Sequence, residues 1–136
     1  MGIEYDLQQE QVDQLDLKQF VSIGLGISVR ATVEKMQAQN QHCAIITEDG
    51  APVGIFTDRD VIRRIIDAPE TWHRPIDDFM TPSPLTVKSK DSVNAALSLM
   101  NREHLRNVPV VDNKGILVGN LSHYAIISYL AERFSI

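Results

Sequence analysis

Apolar residues follow two periods along this chain, one typical of strands and one typical of helices. Short runs rich in β-branched residues alternate with segments in which apolar residues recur every three or four positions. In the first half this alternation predicts the order strand, helix, strand, strand, helix. The predicted elements are a strand at residues 20–23, a helix capped by Ser28, a strand at 43–47, a turn at Asp49 and Gly50, a strand at 53–57 and a helix that runs until Pro69.

The same order of periods returns in the second half of the chain. A strand at residues 84–87 precedes a helix that starts at Asp91 or Ser92, and strands at 108–112 and 116–121 flank a turn at residues 113–115. A final helix is predicted from Ser122 to about Phe134. The positions expected to face inward from the first of these helices are Val93, Ala96, Leu97 and Met100.

The two halves are copies of one supersecondary unit. A shift of 64 positions places Ser28, Val29, Ala31 and Met36 on identical residues, and one inserted residue then extends the match with a shift of 65 through Gly50, Gly54 and Ile62. The predicted division is an acidic leader at residues 1–16, a first domain at 17–68, a linker at 69–77 and a second domain at 78–136. Because units of this size are marginal alone, the copies are expected to depend on each other.

Composition and charge argue against a membrane protein, a secreted protein and a nucleic-acid-binding protein. With 43% hydrophobic and 23% charged residues and no apolar run near the roughly 20 residues of a membrane span, the chain is expected to be soluble. The single cysteine, Cys43, and the lack of a visible secretory signal favour the cytoplasm. The net charge of −5 resides in the leader, which is expected to be frayed and to end in an ordered turn. No basic face is evident, so nucleic acid is not an expected partner.

Thr57 and Asp60 stand where a predicted strand passes into a helix. The start of a helix leaves backbone N–H groups without partners, and Asp60 lies one turn beyond Thr57 on the same side. A hydroxyl, a carboxylate and free donors at one point suit a ligand that carries vicinal hydroxyls and phosphate. The same spacing is also that of a capping box, which only starts a helix. The pattern itself leaves both interpretations open.

Three segments carry a family resemblance. They are GIFTDRD at residues 54–60, IDDFMTPSPLTV at 76–87 and LRNVPVVDNKGILVG at 105–119. In this order and duplication the chain resembles a tandem pair of cystathionine beta-synthase (CBS) domains, a Bateman module, over about residues 17–134. The resemblance implies an α/β (α+β) fold of two β-α-β-β-α repeats, packed sheet to sheet about a pseudo-twofold axis. It also implies two clefts between the repeats that commonly hold adenine nucleotides.

The resemblance further implies two sets of ligand-binding residues. In that family the Asp at the helix start typically binds the ribose hydroxyls, and the neighbouring Thr or Ser faces the sugar or phosphate. The second set is the weaker candidate, because Ala125 stands in the place of Asp60 and Tyr124 in the place of Arg59. The first set is Ser22, Ile23, His42, Cys43, Ala44, Thr57, Arg59 and Asp60; the second is Leu85, Thr86, Arg106, Asn107, Val108, Pro109, Ser122 and His123.

Two functions remain open at this point. One is a non-enzymatic sensor, for instance of cellular energy, that binds AMP, ADP, ATP or another adenosyl ligand and signals to an unidentified target protein. The other is a ligand-independent dimerisation or protein-interaction module with vestigial clefts. Neither catalytic residues, a metal site nor a cofactor is expected, because the four histidines stand singly and no phosphate-binding glycine loop occurs. Apolar residues on more than one side of the helices after Thr57 and Ser122 predict a homodimer.

Overall fold

The computed structural model describes residues 7–134. It divides into two compact units, one formed by Phe20–Pro84 and the other by the described residues from Leu85 onward together with those up to Gln19. Both units follow the order β-α-β-β-α, so the predicted fold class of two α/β repeats is confirmed. No helix among the described residues is long and apolar enough to cross a membrane.

The unit Phe20–Pro84 contains a four-stranded sheet of order β1-β2-β3-β4. Strand β1 pairs in parallel with β2, and β2 and β3 form an antiparallel hairpin. Asp49 and Gly50 turn the hairpin with φ values of 51° and 82°, as their sequence predicts. The elements are β1 Val21–Gly24, α1 Val29–Ala38, β2 Cys43–Glu48, β3 Ala51–Thr57, α2 Asp58–Asp60 continuing as a π-helical turn Val61–Ile65, and β4 Thr81–Pro82.

Helix α1 begins where the sequence predicts, because the Ser28 hydroxyl accepts a hydrogen bond from the Ala31 amide at 3.0 Å. Val29 and Met36 on one stripe of α1 are buried, and Val33 packs against the same core from a partly buried position. The largest buried side chain of this core is Phe56 in β3.

Helix α2 is shorter and wider than the sequence predicts. Its second half is π-helical, with the Ile66 amide donating to the Val61 carbonyl at 3.0 Å, and it ends near Ile65 instead of continuing to Pro69. Ile65 is fully buried, whereas Ile62 and Ile66 are 66% and 62% exposed. The apolar residues of this helix thus lie on two sides, and one side is open.

Residues 69–77, predicted as a linker, form part of the first unit. They contain the 3₁₀ turn Pro69–His73 and the first two residues of the 3₁₀ turn Ile76–Asp78, and Trp72 packs against the core of its own unit. The Ile76 amide donates to the Ile27 carbonyl at 2.7 Å, which holds this segment beside the start of α1. The boundary between the two compact units follows Pro84.

The second unit contains a three-stranded sheet of order β5-β6-β7. The first strand was predicted at residues 84–87 and is instead Val87–Lys88, since Pro84 has no amide hydrogen to donate to a sheet. The Ser92 hydroxyl caps the first helix by accepting from the Ala95 amide at 3.0 Å. The elements are β5 Val87–Lys88, α3 Val93–Glu103, β6 Asn107–Val111, β7 Leu117–Ser122 and α4 His123–Phe134.

The described part of the leader is an integral piece of this second unit. Val12 is fully buried and Leu15 is 8% exposed in the core beneath α3 and β6. The Val12 amide donates to the Asp91 carbonyl at 2.9 Å, and the Val93 amide donates to the Glu10 carbonyl at 2.8 Å. The ordered turn is present at Val12–Gln14, but the fraying predicted for the leader does not hold for residues 7–16. Residues 1–6 lie outside the described residues.

Candidate functional site

The residues predicted for the first ligand site meet at one edge of the first sheet. Because β1 and β2 are parallel and β3 is antiparallel to β2, the starts of β1 and β2 lie beside the end of β3. Ala44 is opposite Val21, and Cys43 is opposite Thr57. The Asp58 amide extends this pairing by donating to the His42 carbonyl at 3.0 Å. Three strand ends and the start of α2 therefore converge within one unit.

Asp60 is held in place by Thr57. Its Oδ2 atom accepts hydrogen bonds from the Thr57 amide at 2.9 Å and from the Thr57 hydroxyl at 3.3 Å. This is the cap that the sequence allowed as one interpretation. Among the described residues, the other carboxylate oxygen, Oδ1, accepts no hydrogen bond, and the side chain is only half-buried. A carboxylate has about four acceptor positions, so capping leaves Asp60 able to accept from a ligand.

The charged neighbours of Asp60 lie at the surface. Arg59 is exposed, and His42 Nδ1 lies 3.3 Å from an Asp58 carboxylate oxygen. Ser22 is exposed on β1, and its carbonyl accepts a hydrogen bond from Lys35 Nζ at 2.8 Å. The edge thus presents cationic, anionic and polar groups around the half-buried carboxylate.

Three predicted site residues are buried and offer backbone atoms alone. Ile23 and Ala44 belong to the apolar core, and Cys43 is 1% exposed. Burial raises the pKa of the Cys43 thiol from 9.0 to about 12, and the nearby negative charges of Asp58 and Asp60 add to the shift. The thiol is therefore protonated at neutral pH and does not serve as a nucleophile.

The Cys43 thiol gives a prediction for stability at high pH. Since its pKa is 9.0 when exposed and about 12 in the fold, its contribution is complete below pH 9 and is lost as pH rises toward 12. The free energy of unfolding is expected to fall by about 1.4 kcal/mol per pH unit in this window from this group. Urea denaturation of the parent and of Cys43→Ala across the window measures it. Parallel pH profiles for the two proteins would contradict the burial of an ionisable thiol here.

The second predicted set lies at the equivalent edge of the other sheet. Asn107 at the start of β6 is opposite Ser122 at the end of β7, and Val110 is opposite Val87. The His123 amide donates to the Arg106 carbonyl at 2.9 Å, as Asp58 does to His42 in the first unit. Val108 and Pro109 are buried, whereas Leu85, Thr86 and Arg106 are exposed. The eight positions therefore surround one edge, but their polar groups differ from those of the first set.

The main difference is Gln19, which the sequence analysis did not assign to this site. The Ser122 hydroxyl donates to Gln19 Oε1 at 2.5 Å and accepts from the Ala125 amide at 3.1 Å. Asn120 Nδ2 donates to the Gln19 carbonyl at 3.2 Å and to Asn107 Oδ1 at 3.1 Å. Ala125, in the place of Asp60, is buried in the apolar core. Gln19 lies 103 positions before Ser122, so no local sequence pattern could indicate this contact.

A cavity of about 340 Å³ lies elsewhere, in the first unit between α1 and the turn Pro69–His73. Val33, Pro69 and Trp72 line it, and none of the sixteen predicted ligand-binding residues does. Within residues 7–134, no three His, Cys, Asp or Glu side chains are grouped so that they could hold a metal ion. The sheet edge at Thr57 and Asp60 is therefore the candidate site on chemical grounds, independent of this cavity.

A scan of family models matches the CBS domain twice in tandem, at residues 12–67 and 76–132. The chain belongs to the CBS domain family. The first match begins inside the leader, at Val12, although Val12 and Leu15 pack in the core of the second unit in the structure. This CBS pair thus has the duplicated organisation that its internal repeat predicts.

Two relatives match this CBS pair over part of their length. It is 38% identical over 97 residues to the uncharacterized protein YlbB of Bacillus subtilis, a match that covers 68% of this chain and 66% of YlbB. It is 36% identical over 76 residues to inosine-5'-monophosphate dehydrogenase of Mycobacterium tuberculosis, covering 55% of this chain and 13% of that enzyme. The chain spans less than two thirds of the length of both relatives, so their whole-protein activities are not transferred by these matches.

Solved structures agree with the fold. The CBS domain protein PAE2072 from Pyrobaculum aerophilum, solved in complex with AMP, superimposes with a TM-score of 0.75 at 26% identity, covering 90% of this chain and 98% of that chain. The CBS fold of the chain is therefore supported by both sequence and structural comparison.

Proposed function

We propose that this CBS pair is a non-enzymatic regulatory module that binds an adenine nucleotide, or another adenosyl ligand, at Thr57 and Asp60. The observation that carries the proposal is the Asp60 carboxylate, which Thr57 orients through Oδ2 while Oδ1 accepts no hydrogen bond among the described residues. A ribose presents two adjacent hydroxyls, and a carboxylate is the side chain best suited to accept from both. The AMP bound by the P. aerophilum relative supports the same ligand class.

The rest of the first sheet edge fits the other parts of such a ligand. The backbone of the buried residues Ile23, Cys43 and Ala44 offers a fixed polar edge for a purine, because their side chains are committed to the interior. Arg59 provides positive charge for phosphate. We propose that occupancy of this site alters how the module contacts a separate target protein.

Titration calorimetry with AMP, ADP, ATP and S-adenosylmethionine tests the proposed ligand class. We expect at least one of the four to bind with a stoichiometry of one per chain, because one of the two sheet edges carries the carboxylate. Inosine monophosphate, which lacks the adenine amino group, is the matched control and is expected to bind more weakly. Absence of heat with all four adenosyl compounds, confirmed by unchanged thermal stability in their presence, would favour the ligand-independent interaction module.

We further propose that the chain forms a homodimer through α2 and α4. Ile62 and Ile66 at α2 and Tyr124 and Ile127 in α4 are each more than half exposed. Large apolar side chains exposed on a helix face indicate a contact surface. These exposed apolar residues are also the observation that favours the second candidate function, a dimerisation module.

The dimer proposal predicts the effect of a charge on α2. Parent protein at tens of micromolar is expected to show twice the mass of the chain by light scattering, and Ile62→Glu is expected to show the mass of one chain, because a buried unpaired carboxylate opposes association. Arg63→Glu, on an exposed position of the same helix, is the matched control and is expected to stay dimeric. A parent protein with the mass of one chain would disprove the dimer.

A further inference from the structure

We propose that Gln19 occupies the ligand position of the second unit, so that its side chain limits the protein to one ligand per chain. The inference rests on the proposed function, since it concerns the sheet edge equivalent to Thr57 and Asp60. The two sheet edges differ because Ala125 stands in the place of Asp60. This replacement does not say what the Ser122 hydroxyl binds, whereas the contact with Gln19 does.

The Gln19 amide is held from both ends. Its Nε2 donates to an Asp16 carboxylate oxygen at 3.4 Å, and its Oε1 accepts from the Ser122 hydroxyl at 2.5 Å. The carboxylate can only accept, so it fixes which end of the amide faces Ser122. The backbone around Gln19 is fixed as well, because the Asn120 amide donates to the Leu17 carbonyl at 2.9 Å. Gln19 is thus positioned by the neighbouring residues Asp16 and Leu17 and by the sheet that they join.

The contact leaves the Ser122 hydroxyl without a proton to donate to a ligand. The hydroxyl donates its one proton to Gln19 and accepts from the Ala125 amide, and Ser122 is 2% exposed. Thr57, at the equivalent place in the first unit, is half-buried and donates to Asp60. In the second unit, Gln19 therefore supplies the acceptor that Asp60 supplies in the first.

The first unit has no equivalent of this side chain. The position 64 residues after Gln19 is Ser83, whose side chain is three heavy atoms shorter than glutamine. Ser83 has a positive φ of 51°, and its amide donates to the Val53 carbonyl at 3.0 Å. The two sheet edges thus share their strand order, but only the second has a long amide side chain at this position.

A second, independent observation marks this place as a polar site. Asn120 is fully buried, and its Oδ1 atom has no hydrogen-bond partner among the described residues. Buried acceptors without a partner are rare in proteins. Asn120 lies between Asn107 and the Gln19 carbonyl, to both of which its Nδ2 donates. Removal of the Gln19 side chain would leave Ser122 and Asn120 as a donor and an acceptor for a small polar ligand.

Site-resolved NMR titration with AMP tests this inference. In the parent we expect the amides of Thr57, Asp58 and Cys43 to shift, while those of Ser122, His123 and Ala125 do not. In Gln19→Ala the second set is also expected to shift at millimolar AMP, because Ser122 has lost its acceptor. Gln8→Ala, at an exposed position of the same leader, is the matched control and is expected to behave as the parent. Should Gln19→Ala lose its cooperative thermal transition, Gln19→Ser replaces it as the shortened variant.

The outcomes for the two proposals are separable. Shifts of both sets in the parent, or no shift of the Ser122 set in the shortened variant, would overturn the role of Gln19 and leave the Thr57 site intact. If only the Ser122 set shifts, and only in Gln19→Ala, the role proposed for Gln19 is supported. The ligand site proposed at Thr57 is then overturned.

Discussion

Replacing Gly119 by alanine is expected to be among the most destabilising single-methyl additions in the chain. A Cβ atom at this position of β7 would lie 2.4 Å from Leu17 Cβ and 2.8 Å from the Leu17 carbonyl oxygen. Because backbone cannot rotate away as a flexible side chain can, the segment around Leu17 and the leader before it must shift. Overpacking of this kind costs about 1 to 3 kcal/mol. Displacement of the leader would also weaken the burial of Val12 and Leu15, each worth about 1.5 to 3 kcal/mol when complete.

Two other glycines provide matched comparisons in urea denaturation. Gly24→Ala has nothing within 4 Å of the added methyl group and is expected to leave the free energy of unfolding nearly unchanged. Gly54→Ala meets Met80 Sδ at 2.1 Å, but this atom belongs to a flexible side chain that can move. The expected order of destabilisation is therefore Gly119, then Gly54, then Gly24. A Gly119→Ala protein as stable as Gly24→Ala would contradict the packing of the leader on β7.

Local sequence patterns predicted the elements of the repeat well, because each depends on neighbouring residues. Ser28 caps its helix as predicted, and Ser92, one of the two predicted starts, caps the equivalent helix. The Asp49–Gly50 turn adopts the positive φ values that its residue types favour. The order β-α-β-β-α appears in both units for the same reason. Hydrophobic period and capping chemistry act over a few residues and are readable in a single sequence.

Contacts between distant parts of the chain could not be read in the same way. The leader has apolar residues at irregular spacing, so its burial depends on a surface made by α3 and β6 about 80 to 100 residues later. The same holds for Gln19, whose partner Ser122 is known only once the leader lies beside β7. The π-helical turn in α2 accompanies the burial of Ile65 in the core.

Asp60→Ala is expected to lower adenine nucleotide affinity by at least about tenfold. Hydrogen bonds to a charged group contribute about 1.5 to 3 kcal/mol each, and 1.4 kcal/mol corresponds to one decade of affinity. The fold is expected to survive, because loss of the bonds that Asp60 accepts from Thr57 removes a helix cap worth about 0.5 to 2 kcal/mol. Calorimetry gives the affinity, and thermal denaturation gives the stability of the same samples.

Asp58→Ala is the matched control for this prediction. Asp58 carries the same charge in the same turn and is exposed, with its carboxylate near His42. Its replacement is expected to change nucleotide affinity by less than threefold, because it alters the long-range charge alone, and exposed charges are screened by salt. Equal losses of affinity in both variants would assign the effect to charge. Unchanged affinity in Asp60→Ala together with a lower melting temperature would make Asp60 a helix cap only.

The most direct test of the site is a double-mutant cycle between Asp60 and the ligand's 2′-hydroxyl. Affinities of AMP and 2′-deoxy-AMP are measured by calorimetry for the parent and for Asp60→Ala. If Asp60 accepts a hydrogen bond from this hydroxyl, the parent is expected to lose about tenfold in affinity for the deoxy ligand, and Asp60→Ala much less, so the two changes are not additive. An equal loss in both proteins would show that Asp60 does not contact the ribose and would contradict the proposed site.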